Sequence, residues 1–97
     1  MLPEVITYEY ARNCWSKYKL TEDTLESFSR YVYHKIPMGG FFTAVLSNDL
    51  KESFARADYT NQNNMHGIVS FCSNELPSLC WGSLKKVEEW LIVLGFS

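Results

Sequence analysis

Pro37-Met38-Gly39-Gly40-Phe41-Phe42-Thr43-Ala44-Val45-Leu46-Ser47-Asn48-Asp49-Leu50-Lys51-Glu52 is the stretch whose reading decides the fold. Pro37 biases Ile36 away from helical geometry, and Pro37 to Gly40 reads as a turn. Phe41–Leu46 follows as a short, strongly apolar helix. It reaches Asn48 and Asp49 quickly. Asp49-Leu50-Lys51-Glu52 matches a capping box, so a new helix starts there, carrying Leu50, Phe54 and Ala57. Asn48 and Asp49 fall on the side of the first helix that should be apolar. They either cap the next helix or line a polar pocket.

Toward the N-terminus, Thr21 is a good helix cap, with Glu22 and Asp23 in the first turn, where the helix dipole favours negative charge. Leu20 and Leu25 form a candidate hydrophobic staple, and Leu25, Phe28 and Val32 an apolar stripe. Pro37 ends this helix near His34 or Lys35. Residues 1–20 read two ways. Ile6–Tyr10 alternates like a strand. Pro3 at a first helical position, with Ile6, Tyr10, Cys14 and Ala11, Trp15, Tyr18 at helical spacing, favours a helix.

Toward the C-terminus, Asp58 caps a helix expected to run through Ile68, Val69, Phe71, Cys72 and Leu76 until Pro77. Gly67 inside it costs about 1 kcal/mol relative to Ala. Ser83 caps Leu84–Leu94, with Leu84, Val87, Trp90, Leu91 and Leu94 on one face. The expectation is a mostly α fold: a compact bundle of about five short helices in one domain over 1–97, with 1–20 as an N-terminal helix, strand or arm. The sequence shows no repeat, linker or low-complexity tract.

Of 97 residues, 46% are hydrophobic and 15% aromatic, rich for a chain that buries only about two-thirds of its unfolded surface. The surplus of Phe, Tyr and Trp argues for a homo-oligomer. Net charge is −2 and no Lys/Arg run exceeds two residues, which disfavours a nucleic-acid binder. Three cysteines without a Cys-x-x-Cys do not form a disulfide framework. With no apolar signal region and no bilayer-length apolar run, the expected location is the cytoplasm, with no membrane partner.

Little in the chain points to catalysis. A Cys or Ser nucleophile needs a neighbouring base, His34 and His66 are the only histidines, and no Gly-x-Ser-x-Gly elbow exists. Cys72 and Cys80 read as small hydrophobes. The Cys and His residues lack metal-ligand spacing. Asp49, Glu52, Asp58 and Glu75 read as caps or solvated groups. No catalytic residue, metal or cofactor is expected. Two stretches pair glycine with a hydroxyl, an aromatic ring and a helix start, the elements of a phosphate site. One is Pro37–Thr43, contributing Gly39, Gly40, Phe41 and Thr43. The other is Cys80–Ser83, contributing Trp81, Gly82 and Ser83, followed by Lys85. Phe41 or Trp81 would stack on a base, and Lys85, Lys86, Arg56, Lys35 or Arg30 would supply charge. The plainer reading of each stretch is a sharp turn and a capped helix start.

The string Pro37-x-Gly39-Gly40-Phe41-x-x-Ala44-Val45-Leu46-x-Asn48-Asp49-Leu50, then Arg56-Ala57-Asp58-x-x-Asn61, then Cys80-Trp81-Gly82-Ser83-x-x-x-Val87-x-x-Trp90 resembles a family of small uncharacterised phage and prophage proteins, across about residues 20–91. The resemblance carries no catalytic residue. It implies a small accessory protein of a bacterial virus, and by analogy of context an inhibitor of host defence. The expected mode is a sponge that sequesters a nucleotide immune signal, such as a cyclic oligonucleotide or ADP-ribose-type messenger. The alternative is a non-catalytic blocker that docks on a host defence protein, through surface aromatics such as Trp15 or Tyr18.

Overall fold

Helix caps set the element boundaries. The computed structural model describes the backbone of residues 1–95 and side chains through residue 92. Seven α-helices occur among the described residues: α1 (Tyr8–Tyr18), α2 (Glu22–His34), α3 (Gly40–Leu46), α4 (Leu50–Arg56), α5 (Tyr59–Asn63), α6 (Met65–Glu75) and α7 (Leu84–Gly95). A single 3₁₀ turn, Ser78–Cys80, joins the last two. The described residues contain no strand, so the fold is mostly helical, but with seven helices rather than about five.

Thr21, Asp49, Asp58 and Ser83 each accept a hydrogen bond from the backbone N–H three residues on, as their positions in sequence predict. At Asp49 only half of the expected capping box forms. Glu52 N–H reaches the Asp49 carboxylate at 3.1 Å, but the Asp49 N–H bonds to the Ala44 carbonyl. The Glu52 carboxylate turns instead to Arg56.

The extra helices have a physical origin. The expected helix from Asp58 to Leu76 breaks at Asn64 (φ −117°, ψ 20°). Asn61-Gln62-Asn63-Asn64 is poor helix-forming sequence. The Asn64 amide donates to the carbonyls of Tyr18 and Lys19, groups left open at the end of α1. Tertiary capping of α1 thus outweighs continuation of the helix. At the N-terminus the helical reading holds over Tyr8–Tyr18 and the strand reading does not, but the helix starts later than expected. Residues 1–6 are neither strand nor helix, and α1 starts behind a Thr7 cap rather than at Pro3.

Residues 1–6 fold back on their own chain. The Leu2 side chain is fully buried, and its N–H bonds to the Glu75 carbonyl at 2.9 Å. Tyr33 donates to the Leu2 carbonyl and Ser29 to that of Glu4. Inside, Phe28 and Phe71 pack as a tilted pair with ring centroids 4.9 Å apart, and Tyr18 and Phe42 pack edge-on against Phe71 and Phe28. The three cysteines are buried among these side chains. The Cα radius of gyration is 12.8 Å, close to that of a compact chain of this length.

Several sequence-predicted apolar faces point elsewhere. Leu50 and Phe54 on α4 are exposed while Ser53 turns into the core, and on α7 Leu84 is exposed although Val87 is buried as its place on the apolar face predicts. The Leu94 side chain lies outside the described residues.

Candidate functional site

α3 and α4 are joined by Ser47-Asn48-Asp49, and the turn is tight enough to fold them against each other. Asn48 takes a left-handed conformation (φ 59°), which Asn tolerates better than most residues. The Asp49 N–H reaches back to the Ala44 carbonyl and the Asn48 N–H to that of Val45. Between the two helices and the start of α7 lies a groove of about 390 Å³. Met38, Ala44 and Leu84 give it apolar walls, and Thr43, Ser47, Asp49, Glu52 and Arg56 its polar ones.

The groove gathers three residues that the sequence assigns to a ligand: Gly40, Thr43 and Arg56. Gly40 and Arg56 fit each other. A Cβ at Gly40 would stand 2.9 Å from an Arg56 terminal nitrogen and 3.4 Å from its Cδ, so the bare glycine gives the guanidinium its seat. Arg56 donates through Nε to Glu52 Oε1 at 2.6 Å. Its terminal nitrogens make no hydrogen bond to the protein among the described residues. The pair is about half exposed, and an exposed i,i+4 pair contributes only about 0.3–0.5 kcal/mol. A competing anion needs little energy to draw Arg56 off Glu52. The Ser47 hydroxyl is buried on the same wall and has no hydrogen-bond partner among the described residues.

Other assigned residues are placed differently. Gly39 is open, with nothing near its missing Cβ, and lies outside the groove lining. The Thr43 hydroxyl is spent on the Met38 carbonyl at 3.0 Å. Phe41 packs against Phe42 and the core, and Trp81 is likewise partly buried against the core, so each ring presents only part of its surface. The Cys80–Ser83 loop does approach the same region. The Gly82 N–H donates to the Leu46 carbonyl at 2.7 Å, and Gly82 holds φ +113°, which demands glycine. Ser83 caps α7 and Lys85 is exposed, but neither lines the groove.

Met38, Ala44, Ser47 and Leu84 line the groove without having been assigned to a ligand in the sequence. Asp49, read in the sequence as a cap or a pocket-lining residue, is both, while Glu52 was read as a cap or solvated group and its place in the groove comes from the fold. Asp49, Glu52 and Arg56 leave the lining with one excess negative charge by formal count.

The titratable groups outside the groove behave as packed structure. Burial pushes the Cys72 thiol up to about 12 and the Cys80 thiol up to about 11, opposite to an activated nucleophile. The Glu75 carboxylate accepts from Tyr10 at 2.8 Å and Tyr18 at 3.1 Å, and the Met1 amino group lies 3.2 Å away. Burial raises its pKa, but these hydrogen bonds outweigh burial and hold the carboxyl below its ordinary value. His34 pairs with Glu4 at 3.1 Å on the surface. Among the described residues, no group of three or more His, Cys, Asp or Glu is arranged to hold a metal, and no helix is long and apolar enough to cross a membrane.

Comparison with protein-family models, with curated proteins and with solved structures returns no match in any of the three.

Proposed function

We propose that the protein is a non-catalytic anti-defence protein of a bacterial virus, which captures a nucleotide-type immune signal in the α3–α4 groove. The viral context rests on the sequence resemblance. The observation that carries the site is the pairing of Gly40 with Arg56: residues sixteen apart meet in one groove, with the guanidinium's terminal nitrogens unbonded to protein. Arg is the side chain best matched to a phosphate, because its planar fork donates two parallel hydrogen bonds. The unpartnered Ser47 hydroxyl adds a donor on the same wall. The ligand's charge is limited by Asp49 and Glu52. A mono- or di-phosphate that displaces Glu52 from Arg56 fits this lining better than a densely charged oligophosphate.

The test is a thermal-shift screen against cyclic dinucleotides and ADP-ribose derivatives. A ligand at about 100 times its Kd adds about 2.7 kcal/mol of stability. The expected result is a melting shift with one chemical class and recovery of that nucleotide intact after denaturation. Gly40→Glu should abolish the shift while preserving helicity, since the new side chain meets only the flexible end of Arg56. A ligand recovered as product would contradict the non-catalytic reading. A full shift in Gly40→Glu would contradict the site.

A second reading, direct obstruction of a host defence protein, is favoured by one observation. Trp15 is 55% exposed on α1. Tyr18, the other aromatic considered for that role, is buried in the core and serves packing instead.

A further inference from the structure

The outward face of α1 holds a second arrangement, separate from the groove. Tyr8, Arg12 and Trp15 stand at i, i+4 and i+7 on one helical stripe, and Lys19, the left-handed residue that ends the helix, extends it beyond Trp15. All four are exposed, Tyr8 to 75%. Aromatic and cationic side chains alternate along it. The Arg12 guanidinium lies 5.8 Å from the Tyr8 ring centroid, and the Lys19 ammonium 5.7 Å from that of Trp15. These contacts preset the side chains and reduce the ordering entropy that binding costs. A shallow depression of about 410 Å³ runs between the two rings, bordered by Ala11, Ser16 and Glu22.

We propose that this stripe docks an acidic protein surface, with Trp15 as its anchor. The inference rests on the reading of the protein as a blocker of a host protein, and it names that partner's chemistry. Trp, Tyr and Arg are the residues that most often dominate binding energy at protein interfaces, and three of the four stripe positions are of these types. Charge gives the partner its sign. Neither Arg12 nor Lys19 enters a salt bridge among the described residues, and Glu22 is the one carboxylate bordering the depression. The two cations stand seven residues apart, about 10 Å along the axis, so carboxylates on the partner at that spacing would meet both. A nucleic acid is the weaker fit. Two cations release few counterions, and the stripe is a convex helix face rather than a groove that tracks a backbone.

The experiment starts with affinity capture from a bacterial lysate on wild-type protein and on Trp15→Ala. The retained protein is identified by mass spectrometry, purified and titrated against wild type, Trp15→Ala and Arg12→Glu. The exposed positions leave the fold intact, which circular dichroism checks. The expected result is a partner with an acidic surface, bound at least 10-fold more weakly by each variant, with affinity falling as salt rises. No protein retained by wild type over Trp15→Ala would overturn both the blocker reading and the stripe. A partner bound equally by Arg12→Glu, or one with a basic surface, would overturn the stripe's chemistry and leave the blocker reading standing. Retention of nucleic acid, or a homodimer that Trp15→Ala dissolves, would likewise overturn the acidic-protein assignment.

Discussion

Gly67 shows how a residue that weakens a local pattern becomes intelligible once the fold is known. By sequence it is a helix-interior glycine, a cost of about 1 kcal/mol. In the structure a Cβ there would stand 2.3 Å from the Tyr18 carbonyl and 2.5 Å from the Asn64 amide oxygen. The glycine is what lets α6 close onto the end of α1. Gly67→Ala should therefore destabilise the protein by about 1–3 kcal/mol despite the better helix propensity, read as a lower urea midpoint. An unchanged or raised midpoint would contradict that packing. Glu75 makes a second residue-scale prediction. Its folded pKa is depressed, so its contribution is present above the unfolded value near pH 4.3 and is lost as pH falls through the lower folded value. Glu75→Gln should cost about 1.5–3 kcal/mol at pH 7, and the gap to wild type in urea melts should close below pH 4. A gap that stays constant down to pH 3 would sink the assignment. Sequence reasoning read Glu75 as a cap or solvated group, because nothing local says that Tyr10 and Tyr18 will point at it.

At the scale of the element, the caps were legible and the breaks were not. Thr21, Asp49, Asp58 and Ser83 announce helix starts because capping is a local hydrogen bond with a fixed offset. Thr7 carried the same signal, but Pro3 drew the start five residues too early. The Asn-rich run at 61–64 weakens the helix locally, but the position of the break was not legible, since it is set by hydrogen bonds to residues 45 and 46 positions away. Helix ends follow another local rule. α1 and α2 both end on lysines in the left-handed conformation, Lys19 at φ 60° and Lys35 at φ 57°, where glycine is the unstrained choice. Lys19→Gly should raise stability by about 0.5–1 kcal/mol, measured as a higher melting temperature. Lys35→Gly should gain less, because its ammonium sits 3.0 Å from the Trp90 ring centroid and that contact is forfeited. Equal gains at both sites would show that the Trp90 contact contributes no more than the looser 5.7 Å contact with Trp15 that Lys19→Gly forfeits.

At the scale of the molecule, the mostly helical class followed from turns, caps and periodicity, while the assembly of the groove did not. Gly40, Thr43 and Arg56 could be named from the sequence as glycine, hydroxyl and cation. That they face one another depends on the turn at Asn48, and Leu84 joins them only because Gly82 ties the last loop to the end of α3. Phe41 and Trp81 sit where the sequence alone does not place them, partly buried against the core. An aromatic beside a glycine reads as a stacking platform, yet a small core draws such rings inward. The central claim is that a nucleotide-type ligand enters the α3–α4 groove. Its most direct test is a titration of ¹⁵N-labelled protein with cyclic di-GMP, cyclic di-AMP and ADP-ribose, followed by amide shifts. The account predicts that one of them perturbs Gly40, Thr43, Ser47, Glu52, Arg56 and Leu84 together, with the Arg56 Nε–H resonance moving as it leaves Glu52. Perturbations confined to α1, or none with any of the three, would contradict it.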